Sequence, residues 1–192
     1  YNLLNNINYN SLNKIILISS DKAVKPINVM GLTKKYNELI FQSFSKENIN
    51  SIFCVVRFGN VFKSDGSVVP KFIQQINLNS TITVTDPEVK RYFMSINEAV
   101  SLILNATYFA NKFEIFMLKM GNQIKIIDLA KKIINLSGKI YTYEKNNKIY
   151  DENKIEFTGL SKGEKIEKDL IDDENFETTN NSNILILNKP NE

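Results

Sequence analysis

The feature of this sequence that most constrains its fold is a pair of short apolar segments joined by a helical pattern. The segments are Lys14–Ile18 and Ser51–Phe58, and the second is almost continuously apolar, as is typical of parallel strands covered on both faces. Between them, Asn28–Lys46 repeats apolar residues at helical spacing, and the helix is predicted to bury Val29, Leu32, Tyr36, Leu39, Ile40 and Phe44. The pattern predicts a β-α-β unit of an α/β fold.

Polar side chains follow the first strand at once. Ser20, Asp21 and Lys22 come directly after it, where the carboxyl end of a parallel strand faces a ligand-binding crevice. Met30 and Lys34 are four residues apart, so they share one face of the helix. The spacing predicts a ligand-binding and catalytic site between the end of the strand and the helix. It leaves open a second interpretation, in which Ser-Ser-Asp is only turn and N-cap chemistry and Lys34 is one exposed lysine among many.

Composition excludes several classes of function. Histidine is absent, which removes Ser-His-Asp and Cys-His catalysis and the commonest metal ligand, so no metal site is expected. Cys54 is the single cysteine and has apolar neighbours, so it is predicted to be a buried strand residue and not a nucleophile. A lone cysteine also fits a reducing compartment.

Charge and hydropathy narrow the expected partners. The formal net charge is only +3 and the lysines are scattered, so no nucleic-acid partner is expected. No apolar segment is long enough to span a bilayer, which predicts a cytoplasmic segment without membrane contact. Arg57 and Arg91 are the only arginines. Their forked donors indicate sites such as diphosphate recognition, with structural pairing as the other interpretation.

Five motifs occur in this chain in one order, and together they resemble a known family. That family is the UDP-N-acetylglucosamine 4,6-dehydratases of bacterial surface-polysaccharide synthesis, in the extended short-chain dehydrogenase/reductase superfamily. The similarity covers about Asn2 to Lys189. The motifs are ISSDKAVKPINVMGLTKKYNE, VVRFGNVFKSDGSVVPKF, ITVTDPEVKRYFMS, IKIIDLAKKIINLSG and FTGLSKGEKIEKDLI.

The resemblance implies a fold and a domain order. The expected fold is the C-terminal part of a Rossmann-like doubly wound parallel sheet plus a smaller α/β lobe that binds the nucleotide-sugar. Residues 1–60 would be the remainder of the NAD(P)-binding domain and 61–172 mainly the substrate lobe. The acidic and polar composition after Asp172 predicts that 173–192 is an exposed C-terminal tail. No Gly-x-Gly-x-x-Gly occurs in the 192 residues, so the chain is expected to be a fragment that lacks the phosphate loop.

The resemblance also implies catalytic roles. In the family, a hydride leaves sugar C4 for the nicotinamide, a proton leaves C5 as the C6 hydroxyl departs as water, and the hydride returns at C6. Asp21 would protonate the leaving hydroxyl, Lys22 would be the base at C5, and Ser20 would hydrogen-bond the C4 oxygen in place of the usual threonine. Met30 replaces the superfamily's tyrosine, as in a methionine-bearing branch, which leaves open the group that deprotonates the C4 hydroxyl.

Binding roles follow from the same motifs. The expected cofactor is NAD or NADP, held by Ser19, Lys34 and Phe58, with Lys34 on the nicotinamide ribose. The UDP-sugar would be held by Asn60, by Arg91 at the phosphates and by Glu164 at the uridine ribose. Ser161 and Lys162 stand where the family usually has arginine and proline.

Three functions remain as alternatives. The first is the 4,6-dehydratase, inactive as this chain alone. The second is an epimerase of the same superfamily, since related epimerases carry similar Asp-Lys and Met-x-x-x-Lys motifs. The third is a non-catalytic remnant that binds UDP-sugar or pairs with a full-length homologue. The full-length protein is expected to be a homo-oligomer. Long family members carry N-terminal membrane helices, so the resemblance implies that the full-length protein could be anchored in a membrane.

Overall fold

The computed structural model describes residues 1–62, 64, 66–142, 153–167 and 176–187. Single 3-10 turns lie at Tyr9–Ser11 and Asp21–Ala23. The helices and strands are, in chain order, α1 (Asn2–Asn5), β1 (Lys14–Ile18), α2 (Val29–Glu47), β2 (Ile52–Arg57), β3 (Asn60–Val61), α3 (Val68–Asn77), β4 (Ile82–Val84), β5 (Lys90–Arg91), β6 (Phe93–Met94), α4 (Ile96–Phe109), β7 (Glu114–Leu118), β8 (Ile124–Lys125), α5 (Ile126–Leu136), β9 (Tyr141–Thr142), β10 (Asn153–Phe157), β11 (Phe176–Thr178) and β12 (Ile184–Leu187).

The chain divides into two compact units. The first, called here the sheet unit, contains Tyr1–Gly59, Ile96–Met120 and the C-terminal strands β11 and β12. The second, called the lobe, contains Asn60–Ser95 and the part of the chain from Gly121 to the end of the described segment at 167. The first crossing between them falls between Gly59 and Asn60, next to the predicted boundary at residue 60.

The sheet unit is a Rossmann-like α/β structure. Its five strands have the order β1-β2-β7-β12-β11, in which β1, β2 and β7 are parallel. Strand β12 is antiparallel to both of its neighbours, β7 and β11. The register places Ile18 beside Val56 and Arg57 beside Met117. Strand β2 is almost wholly buried, as its apolar run predicts. The predicted β-α-β unit is therefore confirmed.

Helix α2 begins and ends where the sequence predicts but buries a different face. Val29, Leu32, Tyr36 and Leu39 are all more than half exposed, so the prediction that they are buried is wrong. Ile40 and Phe44 do pack against the core, next to the buried Phe41. The helix has apolar residues on two sides, and only contact with the sheet decides which side is covered.

The C-terminal segment differs from the predicted exposed tail. Strand β12 pairs with β7, and it buries Ile184 and Leu185. Ile96–Met120 also lies in the sheet unit rather than in the lobe, because β7 is a central strand of the sheet. The division of the chain is thus discontinuous, whereas the sequence predicts three consecutive segments.

The lobe is a small α/β unit with its own core. Strands β4, β10 and β9 form a parallel sheet in the order β4-β10-β9. Helices α3 and α5 bury their apolar faces in a cluster that includes Phe72, Ile76, Ile82, Ile134 and Ile155. Two short pairs, β3 with β6 and β5 with β8, complete it. The segment Tyr141–Asn153 is polar and rich in lysine, and its composition predicts a surface loop. Most of it lies outside the described residues.

Cys54 lies on β2 with no exposed surface. Burial in apolar surroundings raises the pKa of its thiol to about 11. The thiolate is the nucleophilic form of cysteine, and burial disfavours it here. The prediction of a buried strand residue is confirmed. Within the described residues, no helix has the length and apolarity to cross a membrane.

Candidate active site

The loop after β1 is held against the end of β2 by its backbone. The Ser19 amide donates to the Val56 carbonyl at 2.9 Å, and the Asp21 amide donates to the Phe58 carbonyl at 3.0 Å. Ser20 is the N-cap of the turn Asp21–Ala23, and its hydroxyl accepts from the Lys22 amide. The three polar residues therefore lie at the carboxyl edge of two parallel strands, where the sequence predicts them.

The side chains of this loop form one hydrogen-bonded group, called here the loop triad: Ser20, Asp21 and Lys22. Ser20 Oγ donates to Asp21 Oδ1 at 2.8 Å, and Lys22 Nζ lies 3.2 Å from the same oxygen. The Asp21 carboxylate is only 2% exposed, whereas Lys22 is 28% exposed. A buried acid in contact with a more accessible ammonium group can pass protons between two positions of a bound substrate.

Gly31 brings helix α2 into close contact with the triad's backbone. A Cβ built at Gly31 would lie 2.5 Å from the Lys22 carbonyl oxygen and 3.0 Å from Pro26 Cβ. Only glycine permits so close an approach. Asn28 caps the helix by accepting from the Gly31 amide. Sequence reasoning missed this residue, although a glycine inside a helical pattern is a known sign of close packing.

Met30 and Lys34 lie on either side of this contact along α2. Met30 is 50% exposed and Lys34 is partly buried. Both lie within one turn of Gly31, and Gly31 itself touches the loop that carries the triad. The contact at Gly31 thus places the first turn of α2 against the backbone of the loop that carries the triad.

A buried ion pair lies behind the triad. Arg57 Nε donates to Glu38 Oε1 at 2.9 Å and Arg57 Nη2 donates to Glu38 Oε2 at 2.7 Å. Ser19 Oγ donates to Glu38 Oε1 at 2.6 Å. The diphosphate interpretation of Arg57 is wrong, because its side chain is fully buried and its fork binds a carboxylate. Sequence reasoning also missed Glu38.

Residues predicted to bind the nucleotide are brought together in the lobe. Arg91 Nη2 donates to Glu164 Oε1 at 2.9 Å, and Arg91 Nη1 donates to the carbonyls of Lys90 and Ile166. Thr85 Oγ1 donates to the same Glu164 oxygen at 3.0 Å. These contacts join β5 to a segment more than 70 residues away, and Thr85 is a partner that sequence reasoning missed.

Asn60 lies at the start of the lobe. Its Nδ2 donates to the Tyr92 carbonyl at 3.2 Å, beside Arg91 in the chain. Ser19, the loop triad, Met30, Lys34 and Phe58 all lie in the sheet unit, whereas Asn60, Arg91 and Glu164 lie in the lobe. Among the described residues, no cluster of acidic, cysteine or histidine side chains could hold a metal ion.

Comparison with known proteins places the chain in a family. The sequence profile of the family described as polysaccharide biosynthesis protein matches residues 1–189. The chain belongs to this family. It is 47% identical over 160 residues to the capsular polysaccharide biosynthesis protein CapD of Staphylococcus aureus, a match that covers 83% of this chain and 25% of CapD.

The chain is also similar to an epimerase and to a protein of known structure. The UDP-glucose 4-epimerase of Rickettsia bellii is 37% identical over 176 residues, covering 90% of this chain and 48% of the epimerase. The X-ray structure of Pen from Bacillus thuringiensis superposes with a TM-score of 0.77 at 34% identity, covering 93% of this chain and 53% of Pen. This polysaccharide biosynthesis chain thus spans about a quarter to a half of the length of these relatives.

Proposed function

We propose that the protein containing this chain is a nicotinamide-dependent nucleotide-sugar 4,6-dehydratase that acts on UDP-N-acetylglucosamine in bacterial surface-polysaccharide synthesis. The observation that carries the proposal is the loop triad, in which a buried carboxylate, an ammonium group and a hydroxyl share hydrogen bonds at the end of β1. Dehydration at adjacent carbons needs one group that removes a proton and another that protonates a departing hydroxyl.

The triad's residues divide this work. A proton first passes from the Lys22 ammonium group to the Asp21 carboxylate over their 3.2 Å contact, which leaves a neutral amine and a neutral acid. Asp21 then donates this proton to the departing C6 hydroxyl. Lys22 is the more accessible of the two and removes the proton at C5. Ser20 Oγ is bonded to both groups and orients them. With substrate bound, its single proton turns from Asp21 to the C4 oxygen.

The residues beside the triad fit the nicotinamide and ribose end of NAD or NADP. Lys34 offers an ammonium donor suited to ribose hydroxyls, and the half-exposed Met30 offers an apolar surface next to it. Ser19 would complete this contact through its backbone carbonyl and Phe58 through its backbone amide. The Ser19 hydroxyl is bonded to Glu38 and its amide to Val56, and the Phe58 carbonyl accepts from Asp21. When bound, the cofactor supplies reversible oxidation of the sugar at C4. A thioether takes no proton, so Met30 positions rather than deprotonates.

The lobe residues bind the UDP part of the substrate. Arg91 is oriented by Glu164 and by two backbone carbonyls, so its guanidinium is fixed before a diphosphate arrives. Preorganised forked donors suit phosphate oxygens. Asn60 and Glu164 would then contact the sugar and the uridine ribose. A homo-oligomeric full-length protein and a cytoplasmic location stay predictions.

The test is a product analysis with the full protein that contains this chain. Incubation with UDP-N-acetylglucosamine and NAD or NADP is expected to give a 4-keto-6-deoxy sugar nucleotide, seen as loss of one water and a new C6 methyl signal by NMR. Asp21→Asn and Lys22→Met are each expected to reduce kcat by about 10²- to 10⁴-fold. Thr33→Ala, an exposed change on α2, is the control. A product without the C6 methyl would contradict the proposal.

Epimerisation of a UDP-sugar is the second candidate, and the similarity to the R. bellii UDP-glucose 4-epimerase favours it. Both reactions begin with oxidation at C4, but only the dehydratase loses the C6 hydroxyl. Retention of that hydroxyl together with inversion at C4 or C5 would therefore identify an epimerase.

A further inference from the structure

The ion pair of Glu38 and Arg57, with Ser19, joins three elements of the sheet unit. Ser19 follows β1, Arg57 ends β2, and Glu38 lies in the middle of α2. All three side chains are buried, with Arg57 at 0% and Glu38 at 2% exposure. The bidentate contact has both N–O distances below 3.0 Å. This geometry fixes the ends of two neighbouring strands to the helix that covers them.

Each member of this network is close in sequence to a proposed site residue. Ser19 directly precedes the triad, and Arg57 directly precedes Phe58, whose carbonyl accepts from the Asp21 amide. Glu38 lies one turn after Lys34, on the same face of α2. A shift of any of the three elements would therefore move the triad relative to Lys34.

The energetics give a reason to look beyond stability. A buried ion pair loses the hydration of both charges, and apolar replacements of similar volume are often neutral or stabilising. The core could therefore be filled at lower cost by two apolar side chains. A guanidinium that binds both carboxylate oxygens is restricted to a narrow range of angles and distances. An apolar contact imposes no such restriction.

We propose that Glu38 and Arg57 are positioning residues: through Ser19 they hold the loop of Ser20, Asp21 and Lys22 at a fixed place relative to Lys34. The proposal rests on the proposed function for its catalytic consequence. The positional part is independent of the reaction, because it concerns where the loop lies in the protein without any ligand.

The test compares local and global opening in matched variants. Glu38→Met combined with Arg57→Met removes both charges and keeps the core apolar. Ser19→Ala breaks only the bond between the loop and the pair. The control is Glu88→Met with Lys125→Met, which removes an exposed ion pair in the lobe. Hydrogen exchange is followed at the amides of Asp21 and Ala23, which donate to Phe58 and Ser20, and at Val55 in the core of β2.

We expect exchange at Asp21 and Ala23 to accelerate about tenfold or more in both test variants, because local opening is easier than global unfolding. Exchange at the Val55 amide should change only as much as the loss of global stability, measured by the urea midpoint, requires. The control variant should leave the exchange rates of all three amides unchanged. Unaltered exchange in the loop would overturn the proposal, as would acceleration equal to that at Val55, since a purely structural pair changes all amides together.

A kinetic measurement with the full protein separates the two levels of the argument. We expect both test variants to lower kcat about 10- to 100-fold, because a small misplacement of catalytic groups has effects of this size, with little change in KM for the UDP-sugar. If the wild-type protein has no dehydratase activity, the proposed function fails while hydrogen exchange still decides the positioning. If exchange responds but kcat does not, the pair positions the loop without affecting catalysis, and the catalytic part of the inference is overturned.

Discussion

The two arginines of this chain both pair with glutamate but differ in burial. Each makes an ion pair with one glutamate, Arg57 with Glu38 in the sheet unit and Arg91 with Glu164 in the lobe. Arg57 is fully buried, whereas Arg91 keeps 11% of its side chain exposed. In a lysine-rich chain, arginine is found where a planar fork is needed. The partner, carboxylate or phosphate, depends on the surroundings of each fork.

Gly31→Ala is the sharpest prediction at this scale. Alanine normally stabilises a helix by about 1 kcal/mol relative to glycine. Here the new Cβ would lie 2.5 Å from the Lys22 carbonyl oxygen, so the loop must shift, and we expect a loss of about 1–3 kcal/mol in the free energy of unfolding. Urea denaturation measures this. Asn37→Ala, exposed on the same helix, should change stability by less than about 0.5 kcal/mol, and a stabilising Gly31→Ala would disprove the close contact.

At the scale of the element, helix α2 has two apolar faces, of which one is buried and the other is exposed. One packs on β1 and β2 around Phe41 and Phe53. The other, Val29, Leu32, Tyr36 and Leu39, is largely exposed within the chain. The helical period was correctly predicted, but a period alone does not tell which of two apolar faces meets the sheet. Glu38 lies on the covered side, where its buried carboxylate pairs with Arg57.

Two aromatic substitutions on α2 test this assignment. Phe41→Ala removes a ring that is 4% exposed and packed on Phe53, and we expect a loss of about 3–5 kcal/mol. Tyr36→Ala removes a ring that is 65% exposed, and we expect a loss below about 1 kcal/mol. Both values come from urea denaturation of this chain. Equal losses would show that the exposed face is covered within the folded chain.

At the scale of the whole molecule, the chain leaves the sheet unit and returns to it twice. Residues after Ser95 supply α4 and β7, and the C-terminal strands supply β12 and β11. In the five-stranded sheet of the described residues, β7 pairs with a strand from far along the sequence. This strand is difficult to recognise in the sequence. Its apolar run Ile184–Leu187 is only four residues long, and acidic and asparagine residues precede it.

Substitutions in β12 test its place in the sheet. Ile184 has no exposed surface and is paired with Leu118, so Ile184→Ala is expected to cost about 2–5 kcal/mol. Ile186→Ala, at a partly buried position of the same strand, should cost at most about half as much. Thermal and urea unfolding give both values. A negligible effect of Ile184→Ala would support the exposed tail that the sequence predicts.

The sequence alone determined what depends on neighbours in the chain. Apolar runs set β1 and β2, Asn28 set the start of α2, and the order Ser20, Asp21, Lys22 set the triad, because each is a local pattern with a local physical cause. Tertiary structure decided what depends on distant residues: the burial of Glu38 with Arg57, the pairing of Arg91 with Glu164, and the docking of β12 on β7. These contacts join residues between 19 and 73 positions apart, and no local pattern specifies a partner at such distances.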